Sequence, residues 1–274
     1  FGWFIFYRIF GVLGIGFASN ISPMYIAEIS PAPMRGRLVS LNQLTIVLGI
    51  LSAQVTNWLI AEPVPVDATA EMIRASWNGQ EGWRWMFWVE AIPSLIFLLF
   101  SLVIPESPRW LTVKERKQHA IAVMAKISGL EQATLQYTEL EQSIIKDKTR
   151  QSTNQLSQIL HPSMRKVLTI GIALAVFQQW CGINVIFNYA QEVFSEAGYS
   201  VSDILMNIVI TGVINVLFTI LAIFLVDRIG RRLLLCIGAA GLSIIYLLMG
   251  GAYYFDLSGI VLLIIVILAI GCYA

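Results

Sequence analysis

Apolar runs of membrane-span length recur along the chain, near residues 1–27, 38–61, 84–104, 166–191, 203–226 and 233–255, and a seventh begins near Gly259. A bilayer core takes about 20 apolar residues per helix. In hydrocarbon a backbone must satisfy its own polar groups, so each run is predicted to be a spanning helix. Composition agrees, with 57% apolar residues, 13% charged residues and a mean hydropathy of +0.73. A soluble domain carries roughly 25% charged residues. The surplus apolar surface must therefore face lipid. The expected class is an all-α, multi-pass membrane protein with about six complete spans and the start of a seventh. The chain opens inside an apolar run, Phe1-Gly2-Trp3-Phe4, and runs on in another at Cys272-Tyr273-Ala274. The opening run lacks the positive flank and cleavage site of a signal peptide. The chain is expected to be the middle of something longer.

Charge sets the orientation. If the first span runs inward, the connections 28–38, 105–165 and 227–232, with Lys166, hold 15 of the 18 Lys and Arg residues. The outer connections hold Arg74 and Arg84 among many acidic residues, and Arg8 lies within a span. This asymmetry is the positive-inside rule. A formal net charge of +1 argues against nucleic acid as a partner. Cys181, Cys236 and Cys272 sit in apolar runs, where thiols pack as small hydrophobes, so no disulfide framework is implied.

The one long polar stretch, 105–165, carries apolar residues at Ile121, Met124, Ala125, Ile127, Leu135, Leu140, Ile144 and Ile145. That patchy helical periodicity predicts short amphipathic helices beneath the membrane. The expected organisation is three spans over 1–104, a cytoplasmic helical insert over 105–165, and three spans with part of a fourth over 166–274. Two-bundle carriers show such a plan around their midpoint.

Four segments carry a resemblance. They are Pro23-Met24-Tyr25-Ile26-Ala27-Glu28 continuing to Arg35-Gly36-Arg37-Leu38, then Pro105-Glu106-Ser107-Pro108-Arg109-Trp110, then Gln178-Gln179-Trp180-Cys181-Gly182-Ile183-Asn184, then Asp227-Arg228-Ile229-Gly230-Arg231-Arg232. In this order, at these spans, they resemble the sugar porter branch of the major facilitator superfamily over essentially the whole chain. The resemblance implies that family's two six-helix bundles, with this chain running from span four into span ten. It implies secondary transport of a pentose or hexose by alternating access, with sugar–proton symport expected. A facilitative uniporter and a non-transporting sugar sensor on the same fold are the alternatives. The implied location is the bacterial inner membrane, with a monosaccharide, a proton and the lipid bilayer as partners, no cofactor, no metal and no enzymatic activity.

The amides have a physical logic of their own. Each sugar hydroxyl both donates and accepts, and a neutral carboxamide offers both functions without the tight bonds of a charge. On a regular helix Gln178 and Asn184 would lie roughly 120° apart. A break at Gly182 would turn Gln178, Gln179 and Asn184 toward the midplane, as broken helices do in carriers. In the fifth span Gln43, Ile50, Gln54 and Asn57 fall in a narrow stripe that should face a water-filled path. Gln43 is the substrate candidate there. Ile50 stands where one proton-coupled member of the resembled family carries a second glutamine, as isoleucine does in its animal facilitators. In the eighth span Asn215 matches a sugar-contacting asparagine, whereas Thr211 and Thr219 are read as bonding back to their own helix. Tyr189 matches the second of two gate tyrosines, and Asn188 replaces the first.

Arg8 is costly inside a membrane, at least ~2.5 kcal/mol on the gentlest insertion scale, so it should face a partner or a cavity. Glu90 in the sixth span is the acidic residue of this chain expected in the same bundle. The resemblance implies proton coupling at Arg8 and Glu90, completed by an aspartate of a first span that this chain does not include. It also implies that Glu28, Arg35, Glu106, Arg109, Asp227, Arg228, Arg231 and Arg232 form an inner gate of ion pairs. Each such pair contributes only ~0.2–1 kcal/mol near a surface, which suits a reversible switch. Gly14-Ile15-Gly16 follows an apolar helix rather than a strand and is no nucleotide fingerprint. His119 and His161 have no metal-ligand spacing around them.

Overall fold

A computed structural model describes residues 2–31, 34–65, 69–150, 162–188, 201–255 and 260–273. Among the described residues, six helices are long and apolar enough to cross a membrane: Gly2–Ile29, Arg35–Ile60, Asn78–Val113, Met164–Phe187, Asp203–Val226 and Arg232–Tyr254. A shorter apolar helix, Ile260–Tyr273, follows. These are the spans expected from the apolar runs. In chain order the elements are α1 (Gly2–Ile29), α2 (Arg35–Ile60), α3 (Ala70–Ala75), a π-helical turn (Asn78–Gly82), α4 (Trp83–Val89), α5 (Ala91–Val103), α6 (Pro108–Val113), α7 (Lys117–Ser128), α8 (Leu130–Arg150), α9 (Pro162–Trp180), α10 (Ile183–Asn188), α11 (Val201–Ile229), α12 (Arg231–Tyr254) and α13 (Ile260–Tyr273).

The residues group into two compact units, one of 1–42 with 102–171 and one of 43–101 with 172–274. In the first unit the polar insert builds a small core of its own. Leu111, Ala120, Met124, Ala133 and Tyr137 from α6, α7 and α8 are buried together, with Ile121, Val123, Ala125 and Leu140 packed against them. The expected amphipathic helices are present, though Ile127, Leu135 and Ile145 face outward. Ser107 caps α6 by accepting from the Trp110 backbone N–H at 3.4 Å, and Pro108 occupies the first turn where its missing N–H costs nothing. Tyr137 donates to the Glu141 carboxylate at 3.3 Å. Burial first, and then that carboxylate, hold the Tyr137 phenol above its ordinary pKa.

In the second unit the connection after α2 is tied by a reciprocal amide pair. The Glu62 backbone N–H donates to Asn78 Oδ1 at 2.8 Å, and Asn78 Nδ2 donates to the Glu62 carbonyl at 2.7 Å. A Cβ on Gly79 would stand 2.5 Å from the Ile73 carbonyl oxygen, so only glycine fits this tight turn. The sixth span is interrupted at Glu90, between α4 and α5. Pro93 explains the interruption: it donates no backbone hydrogen bond, and its ring crowds the carbonyl four residues back. The Glu90 carbonyl accepts from Ser94 Oγ at 2.9 Å.

The core of this unit joins α10, α11, α12 and α13 through Ile183, Ile186, Ile204, Leu242, Ile245, Val266, Ala269 and Ile270. Small residues let the helices close. A Cβ on Gly241 would stand 2.7 Å from Cys272 Sγ, and one on Gly271 would stand 2.9 Å from the Phe218 ring. Such approaches are how helices associate in lipid, where no hydrophobic force draws them together.

Candidate functional site

The seventh span is broken where its amides cluster. α9 ends at Trp180, Cys181 and Gly182 form a turn, and α10 starts at Ile183. Gly182 has φ +84°, a left-handed conformation in which a side chain is strained. The turn is stitched locally, with Cys181 Sγ donating to the Gln178 carbonyl at 2.9 Å and the Val185 N–H donating to the Gly182 carbonyl at 3.0 Å. Across the break Asn184 Nδ2 donates to Gln179 Oε1 at 2.8 Å. The turn thus brings together two amides that a continuous helix would hold on different faces. Gln178 is exposed at the end of α9, and Gln43 is exposed on α2.

Asn215 is buried on α11, in a polar stripe with Thr211 and Thr219. The stripe extends one turn further, because Asn207, Thr211, Asn215 and Thr219 are all buried. Thr211 Oγ1 donates to the Ile208 carbonyl at 2.7 Å, so this hydroxyl is spent on its own helix. Gln54 on α2 meets α11 at Gly212, where a Cβ would overlap the Gln54 amide oxygen at 1.9 Å. Among the described residues, three buried polar atoms lack a hydrogen-bond partner: Gln54 Oε1, Asn207 Nδ2 and Tyr246 Oη. All three belong to the unit that carries the amide candidates. Asn207 was missed in the sequence, although its four-residue spacing to Thr211 marks it.

Arg8 lies on an exposed face of α1, its guanidinium carbon 5.9 Å from the Phe4 ring centroid. Phe4, Ile5, Arg8, Ile9, Val12 and Leu13 line an open groove of ≈ 430 Å³ along that face. Glu90 is exposed at the interruption of the sixth span, in the other unit.

Two of the quoted motifs meet within one unit. Ser107 Oγ donates to the Glu28 carboxylate, and Tyr25 donates to the Pro105 carbonyl at 2.8 Å. Neither contact was foreseen from the sequence, because both partners read as motif spacers between the charges. Glu106 and Arg109 are exposed beside them, and Arg35 is exposed at the start of α2. Asp227 and Arg228 close α11, Gly230 takes φ +87°, and Arg231 and Arg232 open α12. Tyr189 lies outside the described residues.

Ser107 both caps α6 and holds Glu28. Ser107→Ala is therefore expected to lose about 1 kcal/mol of stability, read as a fall of a few degrees in melting temperature, with Ser107→Thr restoring most of it. A melting temperature equal to wild type in the alanine variant would count against both roles.

A family model described as "Sugar (and other) transporter" matches residues 1–274. The D-xylose-proton symporter of Escherichia coli (strain K12) is 41% identical over 271 residues, covering 99% of this chain and 52% of that protein. The arabinose-proton symporter of Bacillus subtilis (strain 168) is 38% identical over 261 residues, covering 95% of this chain and 53% of that protein. A solved structure of the E. coli xylose transporter, in a partially occluded inward-open conformation, matches with a TM-score of 0.82 at 38% identity. That match covers 98% of this chain and 56% of the other. The chain spans about half the length of the curated relatives it matches.

Proposed function

Because this chain belongs to the sugar transporter family and has the all-α major facilitator fold, we propose that the full-length protein carries a monosaccharide across the membrane by alternating access, together with a proton. The chain is that of a multi-pass membrane transporter rather than an enzyme, and its bacterial symporter relatives fit an inner-membrane location. Residues 1–104 then supply the second half of the N-terminal bundle, 105–165 the cytoplasmic insert, and 166–274 the first part of the C-terminal bundle.

The observation that carries the reading is the broken seventh span. Its turn joins Gln179 to Asn184 and leaves Gln178 exposed beside them. These neutral donor–acceptor groups suit a ring of hydroxyls that must be bound and then released. Gln43 and Asn215 complete the proposed set of sugar contacts from α2 and α11. Pairing among Glu28, Arg35, Glu106, Arg109, Asp227, Arg228, Arg231 and Arg232 would close the inner side, and Tyr189 the outer. The symporter relatives, named for a pentose in both cases, support proton coupling and a monosaccharide of that size.

Uptake by the reconstituted full-length protein tests this. With D-xylose, L-arabinose or D-glucose outside, an inward proton gradient is expected to drive accumulation above the external concentration. Equilibration without accumulation would make the protein a facilitator. Binding without any uptake would make it a sensor.

A further inference from the structure

The two halves of the broken span rest on different things. After the turn, Ile183 and Ile186 are buried among Leu242 and Ile245 of α12 and Val266, Ala269 and Ile270 of α13. Before it, Gln178, Gln179 and Trp180 are exposed, Trp180 by 78%. The position of Asn184 is therefore set by what α10 sits on, not by the helix that carries Gln179.

The side chain at that seat is Tyr246 of α12. Its Cζ and Oη lie 3.4 Å from the point where a Cβ on Gly182 would stand, so the phenol rests directly on the turn. Cys181 and Tyr246 both pack against the same buried cluster. The phenol oxygen is buried and, among the described residues, has no hydrogen-bond partner. A leucine or phenylalanine would fill this space without stranding a polar atom, which ordinarily costs stability. The breaking of the helix nearby leaves backbone carbonyls that no longer have an intrahelical donor.

We propose that Tyr246 is a positioning residue for sugar binding: its ring fixes the turn that sets Asn184 beside Gln179, and its hydroxyl takes up a hydrogen bond to the turn only when sugar is bound. The bond is an ordinary donation from Tyr246 Oη to a carbonyl oxygen of the turn, made when sugar draws on the Asn184 and Gln179 amides. This rests on the sugar-site reading above.

The test uses the full-length protein, and the probe is whichever of D-xylose, L-arabinose and D-glucose binds wild type most tightly by calorimetry. Tyr246→Phe removes the hydroxyl and keeps the ring. It is expected to weaken binding about three- to tenfold, the net contribution of one hydrogen bond. The melting temperature without sugar should not fall, because the variant loses a buried orphan and no native bond. On an Asn184→Ala background the same change should alter affinity less than twofold, since Tyr246 acts through that residue. Wild-type affinity in Tyr246→Phe overturns the proposal. So does a fall in sugar-free melting temperature with losses that add to those of Asn184→Ala, the signature of a purely structural tyrosine. If Asn184→Ala itself binds like wild type, the sugar-site reading fails and takes this proposal with it. If Asn184→Ala is weak while Tyr246→Phe is normal, the Tyr246 assignment alone fails.

Discussion

Replacing Asn184 with alanine in the full-length protein is expected to weaken sugar binding by roughly five- to a hundredfold, and Gln178→Ala by a similar factor, because stranding a buried hydrogen-bond partner costs ~1–3 kcal/mol. The Asn184 variant loses more than its own contact. Its amide donates to Gln179 Oε1 at 2.8 Å, so truncation also frees a neighbouring carboxamide to rotate away from the ligand. The backbone should be untouched, because the break is set by Gly182 at φ +84° and by the buried Ile183, not by the Asn184 side chain. Calorimetry on the purified variants reads the effect. Unchanged affinity in both would remove the amides of the seventh span from the sugar site.

The second large effect is expected at Arg8. Arg8→Ala should abolish accumulation of sugar against its gradient while leaving downhill exchange measurable. A guanidinium in a span is expensive, and its stacking on Phe4 at 5.9 Å does nothing to remove the charge. Retaining it is readily understood if a carboxylate alternates between this charge and a drier site, taking up a proton in one and releasing it in the other. Glu90 is the acidic residue of this chain that interrupts a span, beside the break Pro93 imposes. In the resembled symporters a first-span aspartate has the stronger claim. Glu90→Gln should therefore impair accumulation less than neutralising that aspartate would. Arg8→Lys serves as the control, since it keeps the charge, and recovery of accumulation in it would exclude simple misfolding. Pure equilibration by wild type under an imposed proton gradient would sink the coupling role of both residues.

The spans were legible because the bilayer imposes one length on every apolar run, and the boundaries found lie close to those runs. The insert was legible by the same logic turned toward water: of the residues read there, Met124 lies in the buried seam and Ile121, Ala125 and Leu140 pack against it, whereas Ala120, Ala133 and Tyr137 of that seam were not singled out. Gly182 was readable as a break because a glycine between amides at that spacing has an evident use. Tyr246 was not readable. It lies 64 positions further along the chain than Gly182, in a helix that also carries Tyr253 and Tyr254, and only packing reveals that it touches the turn. The contacts of Glu28 with Ser107 and of Tyr25 with Pro105 were hidden for a related reason. Charge patterns suggest acid–arginine partners, but a serine hydroxyl reaches the same carboxylate once α1 and α6 are brought together. The outer turn around Gly79 and Gly82 carried no periodicity at all, and its shape follows from side-chain amides bonding backbone groups across the connection.

The seam of Leu111, Ala120, Met124, Ala133 and Tyr137 gives this membrane chain a second solvent to answer to. That core exists because water expels it, and urea, which solvates apolar and peptide groups, weakens it directly. The spans owe their packing to close fit among small residues such as Gly241 against Cys272, and they respond instead to whatever replaces the lipid around them. One polypeptide therefore carries two kinds of cohesion. Aqueous denaturants act on the insert, and the choice of detergent acts on the helices.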